Sequence, residues 1–254
     1  MLSAMLAYDK KPNRDFIMRE NIYDGPVWPT LTTSNALGMR WYEIPNGDKY
    51  PSITSVLGKS PEKQKGLQEW RERIGEHEAN KIARKGANRG TAFHNIVEDF
   101  LTMDEPEFQD KLETDHKSRH LLAWAMFLST RKTIEESVGD IFLMEQTMYS
   151  ARYKVAGRCD LIAMFDGEPT VIDWKTASTM KKEEWNEDYY IQAAAYASMY
   201  TDYTGDLIDN LAIVMVDEQG EVEVFRKPVA PYLPKLEKLM TEFYDNVDEM
   251  LAAA

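Results

Sequence analysis

The sequence predicts an α/β domain, a small mixed sheet flanked by helices, with a helical N-terminal portion. Three patterns predict it. Apolar residues alternate from Tyr153 to Phe165 and resume with β-branched Thr170 to Ile172, on either side of an Asp166-Gly167 turn signal. Phe93, Ile96, Val97, Phe100 and Leu101 form the i, i+3, i+4, i+7, i+8 stripe of a core-facing helix. A second hairpin pattern, Leu211–Val216 and Val222–Phe225 around Asp217 to Gly220, precedes a closing amphipathic helix from Pro231 to Leu251. At 254 residues the chain can bury a substantial single core.

In chain order, residues 1–38 read as an irregular arm containing Pro12, Pro26 and Pro29, and residues 39–254 as one domain. Arg40–Ile44 is a strand ended by Pro45. Asn46-Gly47 turns the chain, Asp48–Ile53 returns it, and a helical stretch begins near Ser52. Lys63–Leu101 is helical with a break expected near Gly86–Gly90. Asp115–Ser137 is a further helix whose apolar face is Leu121, Leu122, Trp124, Ala125 and Leu128, followed by a strand over Ile141–Tyr149. After the central strand pair, 176–182 is a polar loop ending in Lys181-Lys182, and a helix spans about 183–203. Residues 39–140 thus supply a hairpin and helices, and 141–254 supply the main sheet.

Composition narrows the function classes. Hydrophobic residues make up 43% and charged residues 29%, an ordinary globular balance. No apolar run approaches the ~20 residues of a membrane span, and Met1–Tyr8 lacks a basic leader, so the expected location is the cytoplasm where the chain is made. The single cysteine, Cys159, excludes an internal disulfide and any four-cysteine zinc or iron–sulfur site, and it reads as a small buried hydrophobe. A net charge of −13 argues against tight, sequence-independent coating of nucleic acid but leaves room for a local basic patch. The best candidate is Lys81, Arg84, Lys85 and Arg89, which reads either as a phosphate-facing patch or as a solvated helix face.

The charged residues of the central strands carry the chemistry. Asp173 and Lys175 project to one side and Trp174 to the other. With the turn centred near Gly167 and Glu168, Asp160 falls roughly opposite Lys175. Two carboxylates and an ammonium on one patch suit a hard divalent cation, and with it phosphodiester hydrolysis. His94 and Glu98 lie one helical turn apart at the margin of the apolar stripe, where His94 could add a ligand. His77, His116 and His120 read as surface residues. Glu145 has two readings, an edge-strand solubility device or a side chain pointing into the site. Tyr189, Gln192, Tyr196 and Tyr203 share one helix face, which is either core or a nucleic-acid contact.

The set Gly90-x-x-x-His94-x-x-x-Glu98, Gly157-x-x-Asp160, Asp173-x-Lys175 and Gln192-x-x-x-Tyr196 resembles the RecB-type branch of the PD-(D/E)XK nuclease superfamily. It looks most like bacteriophage exonucleases and the mitochondrial genome maintenance exonuclease, and Tyr50–Leu57 is similar to their N-terminal region. The resemblance implies a restriction-endonuclease-like core in 39–254 and a metal-dependent DNA exonuclease of phage replication, recombination or degradation, placed in the host cytoplasm. It implies Mg²⁺ or Mn²⁺ held by His94, Asp160, Asp173 and the Trp174 carbonyl; the iron–sulfur cluster that some relatives hold with four cysteines is not expected in a chain with only Cys159. It casts Asp160, Asp173, Lys175 and Glu98 as catalytic, with Lys175 positioning the attacking water. It sets Gln192 and Tyr196 against the DNA and makes the helices before His94 an arch. A single-strand-binding or annealing protein is the implied partner. The alternatives are a ring-forming duplex exonuclease paired with such a protein, or a non-catalytic DNA-binding or assembly module on the same fold.

Overall fold

A computed structural model of the chain describes residues 28–252. It is α/β, as expected, with a five-stranded mixed sheet between helical layers and a separate three-stranded meander. The meander comprises β1 (Thr32–Ala36), β2 (Met39–Glu43) and β3 (Lys49–Pro51), paired antiparallel in that order. Of the expected N-terminal arm, residues 1–27 lie outside the described residues, and Thr32–Ala36 is a strand rather than loop. The meander buries Tyr42, Ile44 and Tyr50 against Ala156 of the main sheet.

Helices α1 (Ile53–Gly58), α2 (Pro61–Ile74) and α3 (Glu76–Thr102) follow. The break expected near Gly86–Gly90 falls instead at Gly75, whose φ of 86° suits glycine. α3 runs unbroken through both inner glycines because its second half is held by Phe93, Ile96, Val97 and Phe100 in the core. Its first half and α2 are mostly exposed, and α2 buries no residue.

α4 (Glu105–Lys111), a π-helical turn (Leu112–His116) and α5 (Lys117–Arg119) lead into α6 (Leu121–Ser137). The single helix expected over Asp115–Ser137 is therefore interrupted at His120, where φ is −137°. The interruption rotates the apolar face: Ala123, Trp124, Met126, Phe127 and Ile134 are buried, and Leu121 is exposed.

The main sheet has the order β4 (Val138–Ser150), β5 (Val155–Phe165), β6 (Glu168–Ala177), β7 (Asn210–Asp217), β8 (Val222–Pro228). Only the β6–β7 pair is parallel, and α7 (Glu187–Thr204) makes its crossover. One face packs on α3 and α6 through Leu161, Ile172, Trp174 and Val214. The other packs on α1, α7 and α8 (Leu233–Ala252) through Ile162, Val171, Ile213 and the alanines of α7. Among the described residues no helix is long and apolar enough to cross a membrane.

The β5–β6 hairpin corrects one expected register. Asp166 and Gly167 both have positive φ, so the turn closes tightly between Phe165 and Glu168. Its ladder runs to Leu161↔Ile172, which sets Asp160 level with Asp173 and not with Lys175.

Candidate active site

The site forms where β4, β5 and β6 meet between α3 and α7. On β6, alternation holds: Trp174 is buried among the α3–α6 side chains, and Asp173 and Lys175 share the other side. Asp173, only 1% exposed, forms an ion pair with Lys175 through Oδ2 and accepts from Gln192 Nε2 at 3.1 Å through Oδ1. Oδ2 takes no further hydrogen bond. Gln192 Nε2 lies 3.2 Å from Tyr196 Oη, so α7 fixes the carboxylate through a two-residue buttress.

On β4 and β5 the alternation slips. Leu143 and Met148 face the same core layer although an odd number of positions separates them, as do Cys159 and Ile162. The two slips coincide at Glu145 and Asp160, and Glu145 adopts a left-handed φ of 48° that a β-branched residue would not tolerate. The slip aims both carboxylates at α3. Strain of this kind gathers at functional sites.

From the opposite layer, His94 completes the group. Its Nε2 is 2.9 Å from the Trp174 carbonyl oxygen and its Nδ1 is 3.5 Å from Asp160 Oδ1. Asp160 Oδ2 accepts the Trp174 amide at 3.0 Å. Donor atoms of His94, Glu145 and Asp160 lie within 4.8 Å of one another. Two carboxylates and an imidazole, with Asp173 beside them, fit a divalent cation bound mainly by oxygen. The Nε2–carbonyl contact orients the ring and leaves Nδ1 as its ligand atom.

The electrostatics follow from burial and crowding. Burial disfavours the His94 imidazolium, but the Asp160 carboxylate outweighs it and pushes the pKa up to about 9. Burial likewise opposes a charged Asp160, yet His94, Lys175 and the Trp174 amide hold its pKa below the usual carboxylate range. Burial raises Asp173 to about 6, with Lys175 opposing and Asp160 adding to the rise. Burial and the Asp160 charge raise Glu145 to about 7, against the pull of Arg158. Burial works against the Lys175 charge, but Asp173 and Asp160 together keep its pKa above the ordinary lysine value.

The other expected residues divide. Glu98 stays outside the converging donor atoms; it lines a separate polar cleft with Asn95, Asp99 and His116. His116 is not a surface residue. It is 5% exposed, and its Nε2 is 2.6 Å from Asp99 Oδ2, because the π-helical turn carries it inward. Lys81 is exposed and 3.6 Å from Glu78, and Arg84 is exposed. Lys85 and Arg89 are both engaged by Glu218 of the β7–β8 loop, and Arg89 also donates to Thr176 Oγ1 at 3.1 Å. Cys159 is fully buried, and burial raises its thiol pKa.

A family model described as PD-(D/E)XK nuclease superfamily matches residues 63–253, most of the chain and every residue of this site. The chain belongs to the PD-(D/E)XK nuclease superfamily. Members of this superfamily use divalent metals, in keeping with the donor set around Asp160. No curated protein matches. Among solved structures, one from Eubacterium rectale, described as a "putative exonuclease", is similar at 14% identity with a TM-score of 0.41. The match covers 64% of this chain and 66% of that one, just under two thirds of its length.

Asp160, Asp173 and Lys175 stand together in the structure, with Asp160 level with Asp173. Glu145 is the residue that sequence reasoning left undecided. Its signal was an acid inside a strand between Met144 and Gln146, and only the tertiary structure shows that it turns toward His94 and Asp160. The glycine before Asp160 also has a physical reason. A Cβ on Gly157 would lie 2.6 Å from Tyr196 Cε1, so the buttress needs a bare backbone there.

Proposed function

We propose that this nuclease is a Mg²⁺- or Mn²⁺-dependent deoxyribonuclease that hydrolyses phosphodiester bonds from DNA ends. The observation that carries it is the convergence of Asp160, Asp173 and Lys175 with His94 and Glu145 at one edge of the buried sheet. When bound, the cation supplies Lewis acidity toward a phosphoryl oxygen and a more acidic water. His94, Glu145 and Asp160 are the residues that would hold it, beside Asp173. Lys175 orients the attacking water and offsets charge gathering on the phosphate. Gln192 holds Asp173 in place, and Tyr196 holds Gln192.

Action at ends is supported by how the α2–α3 hairpin is tied. Lys63, near the start of α2, pairs with Asp188 at the start of α7 at 2.7 Å. Lys85 and Arg89 of α3 pair with Glu218. The hairpin is thus tied to the start of α7 at one end and to the β7–β8 loop at the other, and in this reading it is an obstacle to a DNA without an end. Exposed Lys81 and Arg84 remain its candidate phosphate contacts.

The test is cleavage of end-labelled linear DNA beside a closed circle, with Mg²⁺, with Mn²⁺ and with EDTA. Metal-dependent loss of the linear species with the circle spared is expected. Cutting of the circle would replace the exonuclease reading with an endonuclease, and no cleavage with either metal would remove the deoxyribonuclease reading.

A further inference from the structure

The segment leading from Lys175 into α7 carries an exposed aromatic side chain beside lysines, a surface that the chemistry above does not use. Of the six tryptophans, Trp185 alone is exposed, at 62%. An exposed indole offers a broad flat apolar face on which another ring can stack. Trp185 ends a single 3₁₀ turn, Glu183–Trp185, and Lys182 Nζ lies 5.6 Å from its ring centroid. Tyr189, half-buried in the first turn of α7, has two lysines over its ring. Lys175 Nζ is 4.9 Å and Lys181 Nζ 4.8 Å from the centroid, and Lys181 donates to Tyr189 Oη at 2.7 Å. This places Tyr189 directly against the lysine of the reacting centre.

The stretch also holds four carboxylates, but each is matched by a lysine. Glu183 pairs with Lys227, Glu184 with Lys182, Glu187 with Lys235 and Asp188 with Lys63. In a chain of net charge −13, this neighbourhood is one where lysines balance the acids and flat rings stand beside them.

We propose that Trp185, with Lys181 and Lys182 beside it, forms a stacking platform for the unpaired bases of single-stranded DNA entering the site, linked to Lys175 through Tyr189. An accessible ring gains most from a base face that no neighbouring base or complementary strand covers, and adjacent lysines meet the phosphates between stacked bases. A duplex presents its phosphates but hides its base faces. The platform thus selects a single-stranded or frayed end over an intact duplex. It rests on the nuclease reading above and adds the substrate form.

The test is fluorescence anisotropy of labelled oligo-dT and of a labelled blunt duplex with the full chain in EDTA, where no turnover can occur. Trp185→Ala is expected to weaken oligo-dT binding by about 5- to 150-fold, the range for one lost base–aromatic stack. Trp185→Phe is expected to keep most of the affinity, and neither change should move duplex binding. Replacing Lys181 and Lys182 together by Ala should make the log–log salt slope on oligo-dT shallower by about 1.4, from ~0.7 per neutralised phosphate. Since Trp185 is exposed, an unaltered circular dichroism melt should show the fold intact. Parent-like oligo-dT binding by Trp185→Ala, or equal losses on oligo-dT and duplex, would overturn the platform. The nuclease reading fails separately, if the parent leaves oligo-dT uncut with both Mg²⁺ and Mn²⁺.

Discussion

Gly157→Ala tests the buttress behind the acidic residues with one methyl group. The new Cβ would sit 2.6 Å from Tyr196 Cε1 and 3.2 Å from both Tyr196 Oη and Ile53 Cγ2. Carbon atoms rest at about 3.5–4.0 Å, so the ring must withdraw by roughly 1 Å. It has little room, because Tyr196 is almost fully buried and its helix packs through Ala193, Ala194 and Ala195 with no exposed surface. Overpacking of this kind costs about 1–3 kcal/mol. For a chain of this size that corresponds to a fall in melting temperature of roughly 2–12 °C. The same withdrawal pulls Oη from its 3.2 Å contact with Gln192, which otherwise holds Asp173 at 3.1 Å. A misplacement of about 1 Å near a reacting centre can cost ~10²-fold in rate. The assays are a thermal melt and initial cleavage of labelled linear DNA. In the double variant Gly157→Ala/Tyr196→Leu, the shorter side chain should recover melting temperature but not rate, giving a coupling energy of about 0.5–3 kcal/mol. A Gly157→Ala protein with parent stability and parent rate would refute the close-approach account of this glycine.

Other changes probe the charged groups. Asp173→Asn and Lys175→Ala should each lower cleavage by about 100-fold or more while the circular dichroism spectrum stays native, and turnover retained in both would dismiss the site. Glu145→Gln should weaken Mg²⁺ dependence, read as a rightward shift of the metal titration; an unmoved titration would return Glu145 to a strand-edge role. His94 gives a pH prediction for the metal-free protein. Its folded pKa of about 9 exceeds the ordinary 6.5, so its stabilisation is complete below 6.5 and lost as pH rises through 9. In EDTA, the melting-temperature advantage of the parent over His94→Gln should shrink across that window, and a constant gap would show that His94 is not held charged by Asp160.

Much of the fold was legible because short-range chemistry wrote it. The stripe from Phe93 to Leu101 and the β7–β8 hairpin follow from local preferences and alternation, and each appears where the residues placed it; the Asp-Gly signal likewise gave a hairpin, centred one residue earlier than expected. The order of Asp160, Asp173, Lys175, Gln192 and Tyr196 likewise announced the family. Helix breaks were less legible. Gly86 and Gly90 look like breakers locally, but core contacts further along α3 hold the helix through them, and the left-handed Gly75 takes the break instead.

Registers and partners belonged to the tertiary structure. A hairpin turn drawn one residue tighter moves every cross-strand neighbour, so Asp160 meets the level of Asp173 and not Lys175. The turning of Glu145 toward His94 goes with a slip in side-chain facing on two strands whose pairing stays in register, which no single-strand pattern encodes. His116 is buried by a π-helical turn, and Lys85 and Arg89 are engaged by Glu218, 129 or more positions away in the chain. The sequence by itself determined which elements form and which residues can do chemistry, because dihedral preference, alternation and side-chain type act locally. Which of those residues meet was decided by packing, since contact between distant charges exists only once two helical layers have closed on the sheet.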